Sequence, residues 1–233
     1  NRNGLILQGN DVLLRLLLFW SMFLPLGARY SIDRARDPSE RPLPRRVLSM
    51  WTVALLAQVV FVYWFAAALK SGNEWWSEGN AIYYALSIDQ FVTPLGQWLL
   101  QFPALLTWLT HAVLWFEILG PLFLFVPVWS GPIRTITIGA FCCWHLGFGL
   151  TLHLGLFPYM GMVAMLPLLP SWFWEQLGPR VSRRPRPLVS PDRSALWRCS
   201  PLANLAGLCC LGYVLLWNLA TVDHPPVRIP QQL

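Results

Sequence analysis

The chain has 233 residues, of which 55% are hydrophobic and only 12% charged, with a net charge of +6. Soluble domains carry roughly twice that share of charge, and several apolar runs here approach the ~20 residues that a bilayer crossing needs; an ordinary soluble domain is excluded. Arginines on so apolar a chain point to membrane topology and lipid headgroups before nucleic acid, and no nucleic-acid partner is expected.

The predicted fold is all-α, a polytopic helical membrane bundle of about six apolar helices plus an interfacial or re-entrant segment. Val12–Leu26 is the first helix, short for a crossing at about 22 Å. Asp11 stands in N-cap position, and Arg15, four residues on, shares its helix face. The segment 29–46 is rich in arginine and proline and irregular. Val47–Leu69 is the second helix, apolar apart from Gln58. Lys70, the chain's sole lysine, follows it and opens a loop with Glu74, Glu78 and Asp89. Phe91–Trp129 is too long for one crossing. Pro94, Gly96 and Pro103 break its first third, so Phe91–Phe102 is read as interfacial or re-entrant and Leu105–Val128 as the third span. Gly131-Pro132 makes a turn, Ile136–Gly155 is the fourth span and Leu156–Leu169 a shorter fifth. A second arginine/proline-rich segment, 171–200, precedes the sixth helix, Leu202–Ala220. The whole of 1–233 reads as a single transmembrane domain, cut from a longer chain.

Arginine-rich loops face the cytoplasm. With 29–46 inside, the second helix delivers Lys70 outside, Arg134 returns inside, and 171–200 also lands inside. The acidic Lys70 loop is then extracytoplasmic. The five cysteines show neither metal-ligand spacing nor a disulfide framework, and no metal is expected.

Some polar groups sit where they are costly. Glu117 lies mid-span, where an acid costs about 2.5–3.5 kcal/mol unless protonated, paired or wetted. His145, Gly149 and His153 recur at helical spacing on one face of the fourth span, and Gly147 and Gly149 would admit a close neighbour. A Glu117–His145 bond across the helix contact is expected. His111 faces interface water or the same cavity. Trp75, Trp76, Tyr83 and Tyr84 fit either an interfacial aromatic belt or a stacking platform for a ring such as a quinone. Lys70 is either an interface anchor that snorkels outward or a tunable base, because lysine, unlike arginine, loses its proton when desolvated.

Tyr63-Trp64-Phe65-Ala66-Ala67-Ala68-Leu69-Lys70 followed by Glu74-Trp75 resembles the helix of the vitamin K-dependent γ-carboxylases that ends in their catalytic lysine and an acidic-Trp pair. The chain as a whole resembles bacterial members of the HTTM family, the membrane domain shared with that carboxylase. Gly9-Asn-Asp-Val-Leu-Leu-Arg15, Phe23 through Asp33, Tyr83-Tyr-Ala-Leu-Ser-Ile-Asp-Gln90 and His145 through Tyr159 carry that likeness. The resemblance implies lyase-type chemistry at an extracytoplasmic site in a bacterial inner membrane. There a neutral lysine, here Lys70, deprotonates a reduced quinone of the vitamin K hydroquinone type. Oxygen then adds, the resulting alkoxide takes a proton from a protein glutamate, and carbon dioxide is captured. One position departs from the pattern: the carboxylase histidine is matched here by Arg29, which cannot act as a neutral base.

A second reading is a non-enzymatic membrane module that binds lipid or quinone, or docks a redox or protein partner. A third is a transporter with Glu117, His145 and His153 as a proton path, although no paired repeats are visible.

Overall fold

The longest apolar runs become the longest helices. The computed structural model describes residues 9–26, 32, 36, 46–181 and 196–223. The described elements are α1 (Gly9–Ser21), β1 (Arg46–Leu48), α2 (Met50–Leu69), α3 (Asn73–Trp76), α4 (Ala81–Leu86), α5 (Pro94–Leu99), α6 (Pro103–Phe123), α7 (Ser130–Thr151), α8 (Phe157–Met165, running into the 3-10 turn Leu166–Leu168), α9 (Ser171–Val181), β2 (Leu196–Arg198) and α10 (Pro201–Asp223). Four of these, α2, α6, α7 and α10, are long and apolar enough to cross a bilayer, and two shorter apolar helices lie at Val12–Ser21 and Phe157–Leu168. The chain is thus an all-α membrane protein, with six apolar helices among the described residues. The predicted Phe91–Phe102 break holds the short helix α5.

The described residues fall into two compact units, and the boundary between them lies inside α2, after Gln58. In the unit containing 12–58 and 196–223, Trp20, Trp51, Ala54 and Leu55 form the core, and Phe23 stacks on Trp51 at 3.8 Å. The buried Gln58 amide has a partner, because its Oε1 accepts from Trp20 Nε1 at 3.4 Å. The second helix starts at Met50 rather than Val47. Ser49 caps it, its Oγ accepting from Thr52 N at 3.2 Å, and Arg46–Leu48 pairs in parallel with Leu196–Arg198 instead. Asn204 Oδ1 accepts from Met50 N at 2.9 Å, which ties α10 to the start of α2.

In the unit containing 59–181, Leu86, Val92, Leu106 and Leu152 form a core cluster. The fourth span begins earlier than predicted. Gly131-Pro132 lies in the first turn of α7, where proline's missing N–H leaves no bond unmade. The chain reverses before it, at Trp129, whose φ is 49°. The start of the 171–200 segment is also a helix and not a loop, since α9 runs from Ser171 to Val181. The side chain of its Trp172 lies against Gly131.

Candidate functional site

α2 closes with four alanine and leucine positions and delivers Lys70 at its end. Side chains on a helix lean toward its N-terminus, and Lys70 follows that rule. Its Nζ donates to the carbonyl of Ala66, one turn back, at 3.4 Å. It also donates to Oε2 of Glu117 on α6, forming an ion pair in which the Lys70 side chain is 18% exposed and that of Glu117 only 3%. The Trp75 ring lies 4.9 Å from the amine and forms a cation–π contact with it. Trp76 Nε1 donates to the Lys70 carbonyl at 2.6 Å and its ring meets Trp115 edge-on. An interface anchor sends its ammonium outward to water; this one turns back along the helix. The pair also answers the cost of Glu117, since two opposite charges in contact are far cheaper to bury than one.

The expected Glu117–His145 bond does not form. His145 is engaged by Tyr63, with Tyr63 Oη and His145 Nε2 3.0 Å apart and both residues 4% exposed. His145 Nδ1 is buried without a partner. If the tyrosine accepted from Nε2–H, its own hydroxyl proton would be stranded too. The arrangement with fewer stranded groups has Tyr63 donating to Nε2 and the imidazole N–H at Nδ1. Aromatic rings of Trp144, Phe148 and Phe157 surround this histidine. Its other face rests on Gly161 of α8, where a Cβ would fall on the ring.

His153 does not share a face with His145. α7 ends at Thr151, Leu152 is extended, and His153 is exposed with its backbone N–H donating to Phe91 O at 2.6 Å. That removes it from any proton path through α7. Gly149 does meet a neighbour, Pro158, at ordinary contact distance, whereas Gly147 faces open space. Glu74 and Trp75 are half-buried, with the Glu74 carboxylate folded over Gly72. The rings of Tyr83 and Tyr84 meet edge-on at 6.2 Å. Together with Asn80 and Pro103 they line an open cleft of about 330 Å³. His111 is half-buried against Gly79, which turns the chain at φ 69°. Arg15 is exposed; Arg29 and the side chain of Asp11 lie outside the described residues.

Two residues that matter here were not singled out from the sequence, Tyr63 and Gly161. Tyr63 precedes Lys70 by seven positions, two helical turns on the same face, so its place in line with the lysine was available. Nothing local marks Gly161.

No curated protein and no solved structure matches the chain. The HTTM domain family model matches residues 10–174, a stretch that includes the Lys70–Glu117 and Tyr63–His145 pairs and spans well over half of the sequence, and the chain belongs to that family.

Proposed function

We propose that Lys70 is the general base of a membrane enzyme acting on a quinol-class substrate, in the manner of the vitamin K-dependent γ-carboxylases that this stretch resembles. The observation that carries the reading is the inward course of the lysine. Its amine is turned from the helix end toward Ala66 and held by a buried carboxylate, in surroundings where lysine, unlike arginine, can exchange a proton. In the step assigned to it, the substrate's ring O–H bond breaks, the electron pair stays on oxygen as a phenolate, and an N–H bond forms on Lys70. Oxygen and carbon dioxide belong to later steps of the carboxylase-like reading. The cleft at Asn80, Tyr83, Tyr84 and Pro103, at about 330 Å³, lies at the low end of the ~300–1,000 Å³ typical of ligand pockets. Pro103 and Glu117 stand on the same helix, α6, and are separated by about 21 Å at the helical rise, so a ring in this cleft is out of reach of the amine. The quinol would have to meet Lys70 from the side left open around Glu117 and Trp75. Trp75 borders the amine, and Trp76 holds the Lys70 carbonyl. By the arginine distribution, the site faces the extracytoplasmic side of a bacterial inner membrane.

The test is turnover of a reduced naphthoquinone in air by the protein in nanodiscs, with the epoxide measured by chromatography. Wild type is expected to form epoxide. Lys70→Ala and Lys70→Arg are expected to lose at least about a hundredfold, the lower range of general-base contributions. Lys70→Arg keeps the positive charge beside Glu117 and cannot serve as a base near neutrality. Wild-type turnover in Lys70→Arg would remove the lysine from the chemistry. It would favour the membrane-module reading, in which the two polar pairs only fasten helices.

A further inference from the structure

We propose that Lys70 and Glu117 form one proton-coupled unit, in which Glu117 is the positioning residue and the charge on each group sets the proton on the other. The inference rests on Lys70 acting as a base. It addresses a difficulty in that reading, because a bare carboxylate beside an ammonium holds the proton in place.

The surroundings of the amine are few and definite. From α6 it meets Glu117, from its own helix the Ala66 carbonyl, and from α3 the face of Trp75. The other acids nearby in sequence are engaged elsewhere: the Glu74 carboxylate lies over Gly72, and Glu78 Oε2 accepts from Asn80 Nδ2 at 3.4 Å. From α7, His145 is taken up by Tyr63. Among the described residues Glu117 is the one carboxylate paired with the amine.

The pair is neutral in two forms, ammonium with carboxylate and amine with carboxylic acid. Water strongly favours the first. Burial penalises both charged groups of that form at once and narrows the gap. Moving the proton breaks an N–H bond and makes an O–H bond, with no net charge created. The one lone pair of Lys70 then accepts the Glu117 O–H. The amine takes the substrate's hydroxyl proton when it turns that lone pair from Glu117 to the substrate, its N–H to the Ala66 carbonyl keeping it in place. The new ammonium is faced by the Ala66 carbonyl, the Trp75 ring and the substrate anion. Glu117 thus stores the lysine's proton inside the membrane, where bulk water cannot take it.

The sequence offers a clean probe, because Lys70 is its sole lysine. The full chain in nanodiscs is treated with the N-hydroxysuccinimide ester of acetic acid near neutral pH, and acetylation of the Lys70 peptide is followed by mass spectrometry. Acylation requires the neutral amine. Glu117→Gln is expected to acetylate at least about fivefold faster than wild type, since an opposite charge favours the ammonium. Glu117→Asp should fall between, and Glu78→Gln should match wild type. An unchanged rate in folded Glu117→Gln overturns the proposal. Should Glu117→Gln fail to fold, infrared spectroscopy of Lys70→Met decides. Loss of the ammonium should leave Glu117 protonated, so the carbonyl stretch of a neutral carboxylic acid should appear. No such band in Lys70→Met overturns the coupling. Neither readout involves a quinol, so coupling without epoxide formation would leave this inference standing and defeat the proposed reaction.

Discussion

Gly161 and Tyr63 both meet His145, and each can be changed singly. A methyl at Gly161 would occupy the space of the imidazole, and overpacking of this kind costs about 1–3 kcal/mol. Gly161→Ala should therefore melt lower than wild type in detergent, as followed by helical circular dichroism. Tyr63→Phe removes one hydrogen bond, worth about 0.5–1.5 kcal/mol, and should melt lower by a smaller step. Equal melting of Gly161→Ala and wild type would mean that the ring does not rest on the glycine. At this scale the sequence revealed which residues needed partners but not which partners they found. Glu117 was legible as a mid-span acid in want of compensation. Lys70 was legible as an oddity, the lone lysine at a helix end. Their meeting was hidden because a lysine's four methylenes carry its charge back a full turn. A residue counted with the loop thus acts at the depth of the helix.

Thr93 joins two elements with one short side chain. Its Oγ1 caps α5 by accepting from Gly96 N at 3.2 Å and donates to the Leu150 carbonyl at 2.7 Å. Its backbone N–H donates to Thr151 O, and the neighbouring His153 N–H donates to Phe91 O, so the end of α7 is pinned to the chain before α5. Loss of a cap costs about 0.5–2 kcal/mol. Thr93→Ala should raise amide hydrogen exchange in 94–99 and in 150–153 together, while Thr93→Ser should keep both slow. Exchange rising in only one of the two segments would show that the threonine does not couple them. The sequence marked this region correctly as broken, through Pro94 and Gly96. Thr93-Pro94 is also the start signature of a helix, an N-cap followed by proline at the first position. Element ends elsewhere were misplaced for the same reason: apolar runs locate helices, while capping groups such as Ser49 decide where they begin.

At the scale of the molecule, charge and length pull in different directions. The positive-inside rule applied to the arginine distribution predicts 29–46, Arg134 and 171–200 on the cytoplasmic side and the Lys70 loop outside. That arrangement requires the chain to return across the membrane between α7 and α9. The return path is α8, nine residues of α-helix followed by three of 3-10 helix. It is roughly 20 Å long where the hydrocarbon core is about 30 Å. Local thinning of the bilayer and snorkelling of flanking residues can absorb such a mismatch at a cost of fractions of a kcal/mol per Å, and each of the arginines beyond α8 opposes translocation. The charge argument predicts opposite sides for two exposed positions, Ser77 and Gln176. In a background with the five native cysteines replaced, Ser77→Cys should react with a membrane-impermeant maleimide on intact spheroplasts. Gln176→Cys should react only after permeabilisation. Labelling of Gln176→Cys from outside would mean that α8 dips in and returns to the side it left. The second arginine-rich segment would then share a face with Lys70, and its guanidinium groups would become candidates for receiving an anionic substrate at that face.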